Sequence, residues 1–124
     1  DVPIHIFGSQ HDSRRLEEEL SGTMWVVDAL LGTGSRGEPR PPLDEVIDHL
    51  NEAGIPILAV DLPSGLDCNT GEPSRHTVHA SVTCTFVAAK PGFFAPGVDR
   101  YVGRLQVLDI GAPRKLIEEV LAQS

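Results

Sequence analysis

The chain has little with which to staple itself, enter a membrane or hold nucleic acid. Its two cysteines, Cys68 and Cys84, share no CxxC spacing, so no disulfide framework is read and both thiols are expected to stay reduced. No apolar run approaches the roughly 20 residues a transmembrane helix needs. The opening DVPIHIF carries no charged n-region and no cleavage site, so no signal peptide is read there; it lacks an initiating Met and is expected to be processed or truncated. Ten Lys and Arg against eighteen Asp and Glu leave a net charge of −8, which repels nucleic acid and anionic membrane at long range. A cytoplasmic protein is expected.

What remains suits one domain with a core of its own, since 124 residues need no staples. No repeat, low-complexity tract or linker divides residues 1–124. Val2–Phe7 predicts a short strand, and Asp12–Leu20 a short helix with Leu16 and Leu20 on one face. Met24–Leu31 is apolar except for Asp28, the pattern of a parallel strand buried on both faces. Pro41 and Pro42 precede Leu43, Val46, Ile47 and Leu50 at helical spacing, up to a stop at Gly54. Ile55–Leu62 reads as the next buried strand, again with one acid, Asp61. Ser81–Ala88 and Leu105–Ile110 predict two more strands, and Arg114–Ala122 a closing helix. Alternation of strand and helix gives an α/β class with a mostly parallel sheet.

The segment GTGSRG, Gly32–Gly37, matches GxGxxG. A dinucleotide fingerprint needs a preceding strand, a third glycine in the first turn of a helix and an acid about 20 residues on. The strand is there. The helix is not, because Gly37 is followed by Glu38-Pro39-Arg40-Pro41-Pro42 and residues before proline avoid helical backbone. Asp61 comes later than the fingerprint asks. The glycines still permit positive φ and close approach to a ligand, with Arg36 at hand for a phosphate. A sharply turning surface loop is the plain alternative.

Asp28 and Asp61 form the stronger pattern. Each stands near the C-terminal end of an expected strand, where ligands of parallel sheets bind, and each precedes a turn rich in glycine. Such a carboxylate can take a cation, move a proton or simply cap a loop by accepting N–H bonds. Two acids at matched positions are expected to face one cleft. In DLPSGLDCNTG, Asp61–Gly71, the residues Asp67, Asn69 and Thr70 are turn formers, and Ser64 has no GxSxG elbow to make it a nucleophile. His76 and His79 lack a third ligand and read as a solvated loop pair. Phe93, Phe94 and Tyr101 are expected to seal a sheet edge.

VVDALLGTG (Val26–Gly34), LAVDLPSGLDCNTG (Leu58–Gly71) and TCTFVAAKPG (Thr83–Gly92) together resemble the NAD(P)H-hydrate epimerase family, the YjeF-type N-terminal domain, over about Met24 to Gly111. The resemblance implies a Rossmann-like three-layer α/β/α sandwich. It implies an isomerase that interconverts the R and S forms of hydrated NADH and NADPH, for a partner dehydratase to restore. It also implies a potassium ion held by Asp28 and Ser64. Substrate contacts carry over to Gly32, Thr33, Gly34, Ser35, Arg36, Gly37, Glu38 and Asp61, with Asp61 as the acid/base group. Lys90 matches a lysine often found after the family's fourth strand. The family's Gly- and Asn-rich GNNGGDG-type loop has no counterpart here, so the domain is expected to be incomplete at its N-terminus and its sheet to show an open edge. That edge leaves room for a homodimer. A non-catalytic interaction scaffold on the same fold is the competing function, and retention of Asp28, Asp61 and Ser64 argues against it.

Overall fold

The computed structural model of the protein describes residues 1–8 and 12–123. Four strands, β1 (Val26–Asp28), β2 (Ile57–Val60), β3 (Val82–Phe86) and β4 (Arg104–Leu108), form one sheet in the order β1-β2-β3-β4. Every neighbouring pair is parallel, and the register sets Asp28 beside Ala59 and Val60 beside Cys84. All four C-terminal ends therefore lie along one side. Helix α1 (Asp12–Leu20) precedes β1, and α2 (Leu43–Glu52) connects β1 to β2. A 3-10 turn (Pro91–Phe94) and the short α3 (Asp99–Val102) connect β3 to β4, and α4 (Arg114–Ala122) follows β4.

Helix α2 forms because its apolar residues recur on one face and its ends suit the helix dipole. Asp44 and Glu45 occupy the first turn, where partial positive charge favours them. Gly54, at φ +67°, ends it in a backbone conformation that glycine reaches without strain. Ile47 and Leu50 are buried against Ile57, Ala59, Val78 and Ala80 to make one core. A second core gathers Leu62, Leu66, Phe93, Val98 and Val102. Removing a side chain such as Ile47 from a site of this kind costs about 2–5 kcal/mol.

Strand alternation decides which sheet face these cores cover. Ile57, Ala59, Thr83 and Thr85 are buried, whereas Leu58, Val60, Val82, Cys84 and Phe86, pointing the other way, are only half-buried. Val27, on that second face, is 63% exposed. The sequence pattern thus predicts the parallel α/β sheet and the positions of α1, α2 and α4, but not the burial of β1. That strand is three residues long, has one neighbour, and is buried only through Asp28. Hydrophobicity alone does not distinguish an edge strand from a central one.

Val2–Phe7 is a correction too. Residues 1–8 form no regular element, and Val2, Ile4 and Ile6 are almost fully exposed. A strand exists only through its ladder, and these residues join none. The other strands are shorter than their apolar runs, because the flanking residues bend away into loops. The expected sealing aromatics divide: Phe93 is buried and Phe94 is 76% exposed. Both cysteines are free thiols.

Candidate functional site

The loops after β1 and β2 are joined by one buried carboxylate. Asp28, 1% exposed, accepts the Ser64 hydroxyl at Oδ1 (2.7 Å) and the Ser64 backbone N–H at Oδ2 (2.8 Å). The Leu30 N–H also donates to Oδ1 (3.2 Å). Ser64 in turn accepts the Leu31 N–H at its hydroxyl (3.0 Å), and its carbonyl accepts from Val78 (2.9 Å). A charged group this deeply buried is stable only with such a set of donors. Asp28 is therefore a clasp that fixes the glycine loop against the Pro63–Leu66 turn. Gly65 makes that turn possible: at φ +92°, a Cβ there would sit 2.2 Å from the His76 carbonyl oxygen.

Between the two loops lies a cavity of about 250 Å³, lined by Leu31, Gly32 and Ser35–Glu38 on one side and by Leu62–Asp67 and Glu72–Ser74 on the other. Small-molecule sites usually measure roughly 300–1,000 Å³, so this one suits part of a dinucleotide rather than the whole. A second tie closes its rim, where both Glu38 carboxylate oxygens accept the Arg75 backbone N–H at 2.9 and 3.0 Å. Gly37 stands at φ +77° and the next helix after β1 begins only at Leu43, so the glycine segment is a loop wall and not a helix start. Thr33, Gly34 and Asp61 do not line the cavity.

Asp61 and Asp28 thus serve different surroundings, and the structure does not bring both carboxylates to one cavity. The Asp61 side chain turns toward the end of β3, where Oδ1 accepts the Thr85 hydroxyl (3.0 Å) and lies 3.1 Å from Lys90 Nζ. Its backbone is at φ +71°, and the Leu62 N–H donates to the Val60 carbonyl across it (2.9 Å). This is a γ-turn of the strained hand. Val87 repeats it at φ +68°, with the Ala88 N–H bonded to the Phe86 carbonyl (2.8 Å). Backbone held this way costs of order 1–3 kcal/mol and collects at functional sites.

The sequence named Asp61 but missed Thr85 as its partner. The available signal was a threonine on the inward face of a strand, since a buried hydroxyl must find an acceptor. Of the turn formers, Asp67 behaves as expected: Oδ1 accepts the Asn69 and Thr70 N–H groups at 2.8 and 2.9 Å. Those bonds, the one from Thr70 foremost, hold its carboxyl below the ordinary Asp range. His76 pairs with Asp48 (2.8 Å), and the His79 N–H donates to Asn51 (2.9 Å), so both hold loops. Among the described residues no group of three or more His, Cys, Asp or Glu is placed to hold a metal. Asp28 Oδ2 and Ser64 Oγ each keep one lone pair beyond the bonds above, so the pair fits two corners of a hard-cation shell and no more.

Comparison with known proteins identifies the family. Residues 4–92 match the family described as YjeF-related protein N-terminus. The chain is 47% identical over 96 residues to an NAD(P)H-hydrate epimerase of Pirellula staleyi, covering 77% of this chain and 42% of that protein. It is 35% identical over 118 residues to an NAD(P)H-hydrate epimerase of Rhodopirellula baltica, covering 95% and 47%. A bifunctional NAD(P)H-hydrate repair enzyme of Pyrobaculum aerophilum is 50% identical over 93 residues, 73% of this chain and 19% of that one. The chain thus spans less than half the length of these relatives. The crystal structure of the yeast protein ynu0 (YNL200c) shares the fold, with a TM-score of 0.66 at 22% identity over 89% of this chain and 44% of that one.

Proposed function

From the premise that the chain belongs to the YjeF-related N-terminus family, we propose that it takes part in repair of hydrated NADH and NADPH by interconverting their R and S forms. The observation that carries this reading is the Asp28–Ser64 clasp. It sets a glycine loop and a tight turn face to face at the C-terminal ends of parallel strands, with a cavity between them. Crevices at that position receive nucleotides in open parallel sheets. Gly32 and Ser35–Glu38 form one wall and Arg36 offers a cation to a phosphate, while Asp61 is the acid/base group. Thr33 and Gly34 belong to the same loop, beyond the cavity lining.

Asp28 and Ser64 are the proposed potassium ligands, completed by oxygens from elsewhere. When bound, the ion would supply positive charge to the site. A dehydratase acting on the S form is the proposed functional partner, in keeping with relatives named as bifunctional repair enzymes.

Separated R and S hydrated NADPH, incubated with the protein in potassium buffer and resolved by chromatography, test the reading. Each form should convert to the same mixture faster than without protein. Equal rates with and without it would sink the proposal.

A further inference from the structure

The loop after β3 carries one cation whose role the reading above leaves open. Lys90 Nζ lies 3.1 Å from Asp61 Oδ1 and 3.5 Å from the Phe86 carbonyl oxygen. Oδ1 also accepts the Thr85 hydroxyl at 3.0 Å and the Phe86 N–H at 3.4 Å. Every hydrogen bond to this carboxylate among the described residues ends on that one oxygen. No buried side-chain oxygen or nitrogen among them lacks a partner, so the unbonded Oδ2 is not sealed from solvent. Lys90 and Asp61 are each less than a quarter exposed, which strengthens their attraction relative to a surface pair.

The two γ-turns explain how the pair meets. The turn at Asp61 swings its side chain off the end of β2 toward β3, and the turn at Val87 folds residues 88–90 back toward it. Two strained reversals at neighbouring strand ends thus converge on one carboxylate.

We propose that Lys90 is a positioning residue for Asp61: it fixes the carboxylate through Oδ1 and leaves Oδ2 to exchange a proton with the hydrated nicotinamide. This rests on the epimerase reading for its substrate. Oδ2 takes one proton from the substrate and returns one within a turnover, so the carboxylate ends as it began. Lys90 keeps its own protons throughout. A carboxylate with one oxygen anchored presents the other in a single direction, which is what proton transfer at hydrogen-bond distance requires.

The test compares Lys90→Met, Lys90→Arg and wild type, each checked for an unchanged urea midpoint, in the two-epimer assay. Lys90→Met should lower kcat about 100-fold while KM moves less than about threefold, and Lys90→Arg should recover most of that loss. A Met variant with wild-type kcat, or an Arg variant no better than Met, overturns the proposal. The Asp61 carboxyl carbon-13 signal reads the positioning without turnover: Lys90→Met should shift it or broaden it, and an unchanged signal overturns the proposal even if activity falls. Absence of any interconversion by wild type would instead remove the epimerase reading, leaving the carbon-13 result to judge Lys90.

Discussion

The Ser64 hydroxyl donates to Asp28 Oδ1 at 2.7 Å across 36 residues of sequence, and the Ser64 N–H reaches the other oxygen of the same carboxylate. Two loops that hold the cavity therefore depend on one buried side chain.

Asp28→Ala should destabilise the protein by about 3 kcal/mol or more, because it leaves a buried hydroxyl and N–H without an acceptor. Ser64→Ala removes one bond only and should cost about 1–3 kcal/mol. Urea unfolding midpoints measure both, and a midpoint for Asp28→Ala equal to wild type would contradict the clasp.

At Asp61 the backbone conformation separates two substitutions. Asparagine tolerates positive φ and keeps an oxygen for the Thr85 hydroxyl, so in folding Asp61→Asn should lose only the charge opposite Lys90, yet it should lose epimerase turnover. Alanine does not, so Asp61→Ala should lose a further roughly 1 kcal/mol in folding. Equal unfolding midpoints for the two variants would show that the γ-turn carries no strain.

Val87 is a β-branched residue in the same conformation and 37% exposed. Val87→Gly should relieve backbone strain of order 1–3 kcal/mol against a glycine entropy cost of roughly 0.5–1 kcal/mol. A net gain of about 1 kcal/mol is expected in urea. A loss would mean that the side chain packs more than its exposure indicates.

Asp67 gives a pH signature. Its carboxyl is held below the ordinary range by the Thr70 and Asn69 N–H bonds, so it stabilises the folded state above the unfolded pKa and ceases to do so as pH falls through the folded one. Wild type should lose stability below about pH 4 more steeply than Asp67→Asn. Parallel acid-unfolding curves for the two would contradict this.

Much of this was legible in the chain. Helices α1, α2 and α4 follow from apolar spacing and from breakers such as Gly54. The family followed from three motifs. The site was legible as residues but not as geometry. Asp28 and Asp61 look equivalent in sequence, each closing an apolar run before a glycine turn. Only the folded chain shows one buried among amides and the other turned toward Lys90. Positive φ at Asp61 and Val87 leaves no mark in sequence, because neither residue is glycine. The exposure of β1 was hidden as well, since edge position belongs to the sheet and not to the strand.

The strap at the rim has an asymmetry that bears on how the sequence can drift. Glu38 gives its side chain to the bond, whereas Arg75 gives only its backbone N–H. Position 38 must therefore keep a long acceptor, while position 75 can accept any residue but proline. One end of the contact is written in the chain's side chains and the other is common to every peptide. Two homologous proteins can keep this contact and show no resemblance at the second of its two positions.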